Sequence, residues 1–88
     1  MKNDPLLLSY RIKHLEIKNR LMTSAHEPSY AEEGMPKDRY RLYHTERAKG
    51  GIGLTMTAGS AVVSPDSPPA YNNLHAYKDE IVPWLKKL

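Results

Sequence analysis

No cysteine occurs in the 88 residues. Disulfides and thiolate metal sites are therefore excluded within the chain, and an intracellular setting, the cytoplasm, is the expectation. No apolar run approaches the ~20 residues of a membrane span, and the first residues lack the long hydrophobic core of a signal peptide. No membrane partner is expected. Charge of one sign is not gathered anywhere: 13 basic and 10 acidic side chains give a net +3, mixed along the chain. A polyanion-binding face usually concentrates its cations and interleaves aromatics, so no nucleic-acid partner is expected either. Hydrophobic residues make up only 40%, below the usual share of a globular domain, and a chain of this length has room for one small core. Internal repeats and low-complexity tracts are also missing.

What is there is most orderly between Pro36 and Gly59. Lys37 to Lys49 contains no Gly or Pro, and Tyr40, Leu42, Tyr43 and Ala48 predict one apolar side of a helix. Pro36 suits the first turn of such a helix. Asp38 near its start and Arg47 and Lys49 near its end follow the helix dipole. Gly50 and Gly51 supply the left-handed residue that ends many helices. Ile52 to Thr57 then reads as a short buried strand that runs into the small residues Ala58, Gly59, Ser60 and Ala61.

Before this stretch, Tyr10, Ile12, Leu15 and Ile17 are interleaved with charged residues, and the alternation breaks at Lys13-His14. Two short strands and a tight turn are expected, a hairpin able to lie as a lid over the end of a larger core. Leu21 and Met22 form a brief apolar strand that ends in Thr23, Ser24 and Ala25 before His26-Glu27-Pro28. After the central stretch, residues 63–73 hold Pro65, Pro68, Pro69 and an Asn pair, which predicts a long, stiffened loop. Ile81, Trp84, Leu85 and Leu88 then mark one face of a second helix, with Pro83 tolerable in its first turn. Strand, helix, strand, helix implies an α/β architecture with parallel pairing. In such folds ligands bind beyond the C-terminal ends of the strands, so Ala25 to Glu27 and Ala58 to Ser60 should face one crevice. Small residues there admit a flat ring or a phosphate to the backbone, which predicts cofactor binding by main chain.

Other signals lose force on inspection. Gly50-Gly51-Ile52-Gly53 follows a helix and precedes a strand, the reverse of a phosphate-cradling loop. Glu32 and Glu33 are adjacent on a polar loop and read as solvated. The histidines lack zinc-site spacing: His14 reads as a turn residue and His44 as an exposed helical one. His26, at a strand tip, is read either as a ligand contact or as a satisfied polar residue. Tyr40 and Tyr43 read as packing residues with hydroxyls at the boundary. Ser24 and Ser60 have no evident base, so the residues alone make no complete catalytic set.

The opening DPLLLSYRIKHLEIKNRLM, with Lys18-Asn19-Arg20 ahead of the first strand, resembles the start of the old yellow enzyme family of flavin oxidoreductases (NADH:flavin oxidoreductases). Ala25-His26-Glu27, the Tyr40–Lys49 helix, Gly50-Gly51 and Gly59-Ser60-Ala61 extend the likeness to the branch with dienoyl-CoA reductase and trimethylamine dehydrogenase. Within it, AHEPSYAEEGMPKDRYRLYH and TAGSAVVSPDSPP are most similar to the N-methylproline demethylase group. The resemblance implies an FMN-dependent TIM (β/α)8 barrel in which Ala25, His26 and Glu27 from the first strand, and Gly59 from the second, contact the flavin. Many relatives carry Pro where Ala25 stands. Amine dehydrogenases of the branch carry, where Glu27 stands, a cysteine bonded to the flavin, so non-covalent FMN is implied.

Such a barrel needs eight strand–helix units over about 250 residues; residues 1–88 would supply a capping hairpin and the first two units of an N-terminal fragment. The substrate-binding residues, a 4Fe-4S cluster and an FAD-binding domain would then lie beyond Leu88, and the 88 residues alone are expected to bind FMN weakly or not at all and to be inactive. The implied activity is hydride transfer between the flavin and an N-methyl amine or an activated alkene, with a small-molecule substrate, NAD(P)H as a further partner and an oligomeric parent allowed. A free-standing interaction module presenting the Trp84 helix is the alternative.

Overall fold

A computed structural model describes residues 4–57, 60–68 and 71–88. After a 3-10 turn at Pro5–Leu7, capped by the Asp4 carboxylate on the Leu6 amide (3.0 Å), the chain forms β1 (Tyr10–Ile12) and β2 (Leu15–Ile17), paired antiparallel with Tyr10 opposite Ile17. This is the expected hairpin, and Lys13 takes the left-handed turn conformation at φ 54°. Its apolar residues are not covered: Leu6, Leu7, Leu8, Tyr10, Ile12 and Leu15 are all exposed.

β3 (Met22–Thr23), α1 (Asp38–Lys49) and β4 (Leu54–Thr55) form a parallel crossover unit, with Met22 opposite Leu54 and Thr23 opposite Thr55. The parallel pairing agrees with the α/β expectation. The strand expected across 52–57 shortens to Leu54–Thr55 and stays half-exposed, because among the described residues it has one neighbour and an open outer edge. Pro36 is fully buried just ahead of α1 and does not open its first turn. Gly50 remains right-handed at φ −71°, and Gly51 at φ 101° makes the reversal. Asn19, itself buried, fastens that reversal to the approach to β3: its Nδ2 donates to the Gly51 carbonyl (2.6 Å) and its Oδ1 accepts from the Leu21 amide (3.0 Å).

A second parallel pair has no distinct signal in the sequence. β5 (Ala61–Val62) lies beside β6 (Leu74–His75), and α2 (Ile81–Lys87) follows, with Pro83 inside its first turn as expected. The core joins Ala31, Met35, Tyr40, Leu74 and Ile81, with Tyr30, Trp84 and Leu88 packed at its edge. The chain is thus a mixed α/β structure whose core lies between α1, the loop before it, β6 and α2.

The buried face of α1 differs from the expected one. Tyr40 and His44, four residues apart, point inward, whereas Leu42 and Ala48 are exposed. His44 is buried because the strands beneath it offer hydroxyls instead of aliphatic groups. Thr23 Oγ1 donates to Thr55 Oγ1 (2.8 Å), and Thr55 Oγ1 lies 3.0 Å from His44 Nδ1. Thr55 Oγ1 and His44 Nδ1 share one hydrogen, the donor being set by the imidazole tautomer, while His44 Nε2 is buried without a hydrogen-bond partner among the described residues. Burial, then the charge of Arg47, lowers the His44 pKa below its usual 6.5.

A group whose folded pKa is lowered takes up its proton more readily in the unfolded chain. Its stabilisation is therefore complete above the unfolded value of 6.5 and is lost as the pH falls from there toward the lowered folded value. Urea unfolding between pH 8 and pH 5 should show the midpoint falling on the acid side, and His44→Gln should remove that part of the dependence. Parallel curves for the two proteins would show that His44 contributes nothing to it.

Candidate functional site

The loop after β3 and the segment after β4 come together, as expected for the C-terminal ends of parallel strands, and the junction is built by side chains of the second loop. Ala25 and His26 follow β3 as exposed residues, and Glu27 is half-buried. Glu27 Oε1 accepts from the Ser29 amide (2.9 Å), closing a local turn in which Ser29 has φ 62°. Glu27 Oε2 accepts from Asn73 Nδ2 (2.9 Å), 46 residues along the chain. The same Nδ2 lies 3.2 Å from the Ser60 carbonyl and 3.1 Å from Ser60 Oγ. Glu27 and Ser60, one at each strand tip, thus share one amide. Gly59, the remaining expected contact, lies outside the described residues.

Asn72 extends the junction. At φ 53° it adopts the left-handed conformation that asparagine tolerates better than most residues. Its Nδ2 reaches the carbonyls of Ser29 (3.2 Å) and Ala31 (2.5 Å). Further along, the His75 amide donates to the Gly34 carbonyl (2.9 Å). The loop from 27 to 34 is therefore laced to Asn72, Asn73 and His75. The Asn pair is visible in the sequence only as a turn signal; no local pattern announces that its side chains cross to another loop.

Beside the tip, a cavity of about 460 Å3 opens against β3, with Ser24, His26, Tyr43 and Arg47 among its walls. The Arg47 guanidinium lies 3.5 Å from the Tyr43 ring centroid and donates to the Tyr43 carbonyl at 2.9 Å, so this wall is cationic and held in place. Tyr43 also meets Tyr30 edge to face at 5.7 Å. Of the expected contacts Ala25, His26 and Glu27, His26 alone lines this cavity. The described residues contain no group of three or more His, Cys, Asp or Glu side chains able to hold a metal. In the second loop, the Ser64 hydroxyl donates to Asp66 and lowers that carboxyl's pKa.

No family model matches the chain. Among curated proteins it is 62% identical over 88 residues, 100% of this chain and 13% of the relative, to "Probable N-methylproline demethylase" of Rhizobium meliloti (strain 1021). It is 41% identical over 85 residues, 97% of this chain and 13% of the relative, to "Multifunctional alkene reductase/demethylase OYE" of Caballeronia cordobensis. It is 39% identical over 90 residues, 100% of this chain and 13% of the relative, to "N,N-dimethylglycine/sarcosine dehydrogenase" of Chromohalobacter salexigens. The resemblance drawn from the motifs is borne out along the whole chain, and the chain spans 13% of the length of these relatives.

Proposed function

We propose, taking the 62% identity to an N-methylproline demethylase as the premise, that these residues are the N-terminal part of an FMN-dependent oxidoreductase. The whole protein would move a hydride between the flavin and a substrate, either an N-methyl amine or an activated alkene. The carrying observation is that identity, sustained over all 88 residues rather than confined to a motif. On this reading β1 and β2 cap a (β/α)8 barrel, β3 with α1 is its first strand–helix unit, and β4 opens the second.

The fold supports the reading in two ways. β3 and β4 are parallel with α1 as their crossover, and among the described residues each has an unpaired outer edge. Parallel strands are ordinarily covered on both faces and continued at their edges. The exposed Leu6, Leu7, Leu8, Tyr10, Ile12 and Leu15 leave further apolar surface for the remaining chain to cover.

The residues at the tips also fit the ring of FMN. Ala25 and His26 are exposed just past β3, so main chain and one imidazole are within reach of a flat, polar-edged group. The Glu27 carboxylate is engaged with Ser29 and Asn73, so its side chain shapes the tip and its main chain would be the part left to meet the cofactor. Gly59 would complete the second tip. FMN, when bound, supplies the ring that accepts and returns the hydride. Attachment is non-covalent, since Glu27 replaces the flavin-bonding cysteine. An iron–sulfur cluster would need its ligands elsewhere in the longer protein, because this stretch has no cysteine.

The test uses the full-length protein. It should purify yellow, release about one FMN per chain on acid denaturation, and bleach when N-methylproline is added without oxygen. A colourless full-length protein that takes up no added FMN would sink the proposal.

A further inference from the structure

The register of β3 and β4 ends at Thr23 and Thr55. Beyond it the two tips are held through Asn73, whose side chain is 3% exposed. Its amide is oriented by its partners. Oδ1 accepts from the Tyr71 amide (3.3 Å), while Nδ2 faces the Glu27 carboxylate (2.9 Å) and both oxygens of Ser60 (3.2 and 3.1 Å). The flipped amide would set oxygen against carboxylate and carbonyl, so this orientation is fixed. Two N–H protons suffice: one goes to Glu27, where the acceptor's charge strengthens the bond, and one lies between the Ser60 oxygens. The anchor itself is firm. Asn72 is bonded to the carbonyls of Ser29 and Ala31, and the backbone enters β6 directly after Asn73.

We propose that Asn73 is the positioning residue of the cofactor edge: its buried amide ties the Glu27 tip to the Ser60 tip, so that the two walls keep one spacing. The consequence of this tie for flavin binding rests on the function proposed above; its consequence for the order of the two tips does not.

The full-length protein is compared with Asn73→Asp and with the double variant Glu27→Gln, Asn73→Asp. Asn73→Asp sets a carboxylate against Glu27 and the Ser60 carbonyl, and the tips part. In the double variant the amide introduced at position 27 donates to the carboxylate introduced at position 73, restoring that bond with donor and acceptor exchanged; the carboxylate still faces the Ser60 carbonyl, and only the Ser60 hydroxyl can turn to donate to it. Amide hydrogen exchange of residues 24–29 and 60–62 should quicken together in Asn73→Asp, by about tenfold, the scale set by losing one hydrogen bond to a charged group. FMN affinity should fall by a similar factor, and the double variant should recover part of both, the part due to the bond at position 27. A side chain that merely fills space would gain nothing from the exchange of partners.

Wild-type exchange in Asn73→Asp, or a double variant no better than the single one, overturns the proposal. Should Asn73→Asp fail to fold, Glu27→Ala removes the half-buried partner instead. Exchange must then quicken at the remote segment 60–62, and unchanged exchange there is equally fatal. If the wild-type protein binds no flavin while the exchange pattern follows expectation, the function proposed above falls and the tie through Asn73 stands.

Discussion

Gly34→Ala should cost about 2–5 kcal/mol in urea unfolding of the full-length protein, the sum of a backbone and a packing penalty. Gly34 is the second central residue of a tight turn closed by reciprocal bonds between Glu32 and Met35, each 3.0 Å. Glu33 at φ 54° and Gly34 at φ 79° both have positive φ, the pattern of a type I′ turn. A side chain in that region costs about 1–2 kcal/mol by its clash with the main chain. A Cβ on Gly34 would in addition stand inside the contact shell of the His75 ring, at a separation real Cβ atoms essentially never show. His75 cannot easily withdraw, because its amide is bonded to the Gly34 carbonyl at 2.9 Å and it belongs to β6. Overpacking of this kind costs a further 1–3 kcal/mol, roughly. The two penalties separate experimentally: in a His75→Ala background the packing part should vanish and the backbone part remain. A loss under about 1 kcal/mol for Gly34→Ala would mean that the turn relaxes freely and that neither the positive φ nor the His75 ring constrains it.

Because the loop from 27 to 34 is laced to Asn72, Asn73 and His75, the same substitution should loosen the tips. On the function proposed above, lost flavin would then accompany lost stability, whereas the Asn73 exchange of partners acts on the tips with the turn intact.

How far such features can be read from the sequence depends on whether their cause is local. The hairpin is legible because Tyr10, Ile12, Leu15 and Ile17 alternate and Lys13-His14 interrupt them; α1 is legible because twelve residues lack Gly and Pro and a glycine pair follows. The meeting of the two tips follows from parallel pairing, a rule of topology. What escapes has its cause elsewhere in the chain. His44 reads as exposed in the sequence, since nothing beside it indicates that Thr55 and Thr23 lie beneath with hydroxyls to offer. Hydrophobicity assigns Leu42 to the buried side, but α1 turns Tyr40 and His44 inward, and a residue two positions from each falls on the opposite side. β5 and β6 are two residues each, too short to show any period. Asn73 reaches across 46 residues to Glu27, a bond between side chains that no turn propensity encodes. Ala25, His26 and Glu27 are singled out both by the strand-tip rule and by the family resemblance, whereas Asn73 is singled out by neither.

Tyr40→Ala should be the most damaging core substitution, lowering stability by about 3–5 kcal/mol, as for other large buried rings. Tyr40 is 0% exposed and packs with Ala31, Met35, Leu74 and Ile81, which come from the loop before α1, from β6 and from α2. Its ring also lies 5.5 Å from that of His44 on the same helix. Among the described residues the other fully buried side chain is Pro36, which is far smaller. Removing the ring leaves a cavity bounded by three separate elements, and each would have to move for it to close. A single domain is stable by only about 5–15 kcal/mol, so the variant loses a large share of the total. Tyr40→Phe keeps the ring and its volume and should restore most of the loss, which tells packing from the hydroxyl. Loss below about 2 kcal/mol for Tyr40→Ala would show that the site collapses without cost and that this cluster is not the core. The effect should also reach the tips, since Leu74 follows Asn73 directly and Ala31 holds the carbonyl that Asn72 bonds. On the function proposed above, flavin should leave Tyr40→Ala at a lower temperature than the wild type, in step with the loss of fold, while in Asn73→Asp it should leave before the fold does.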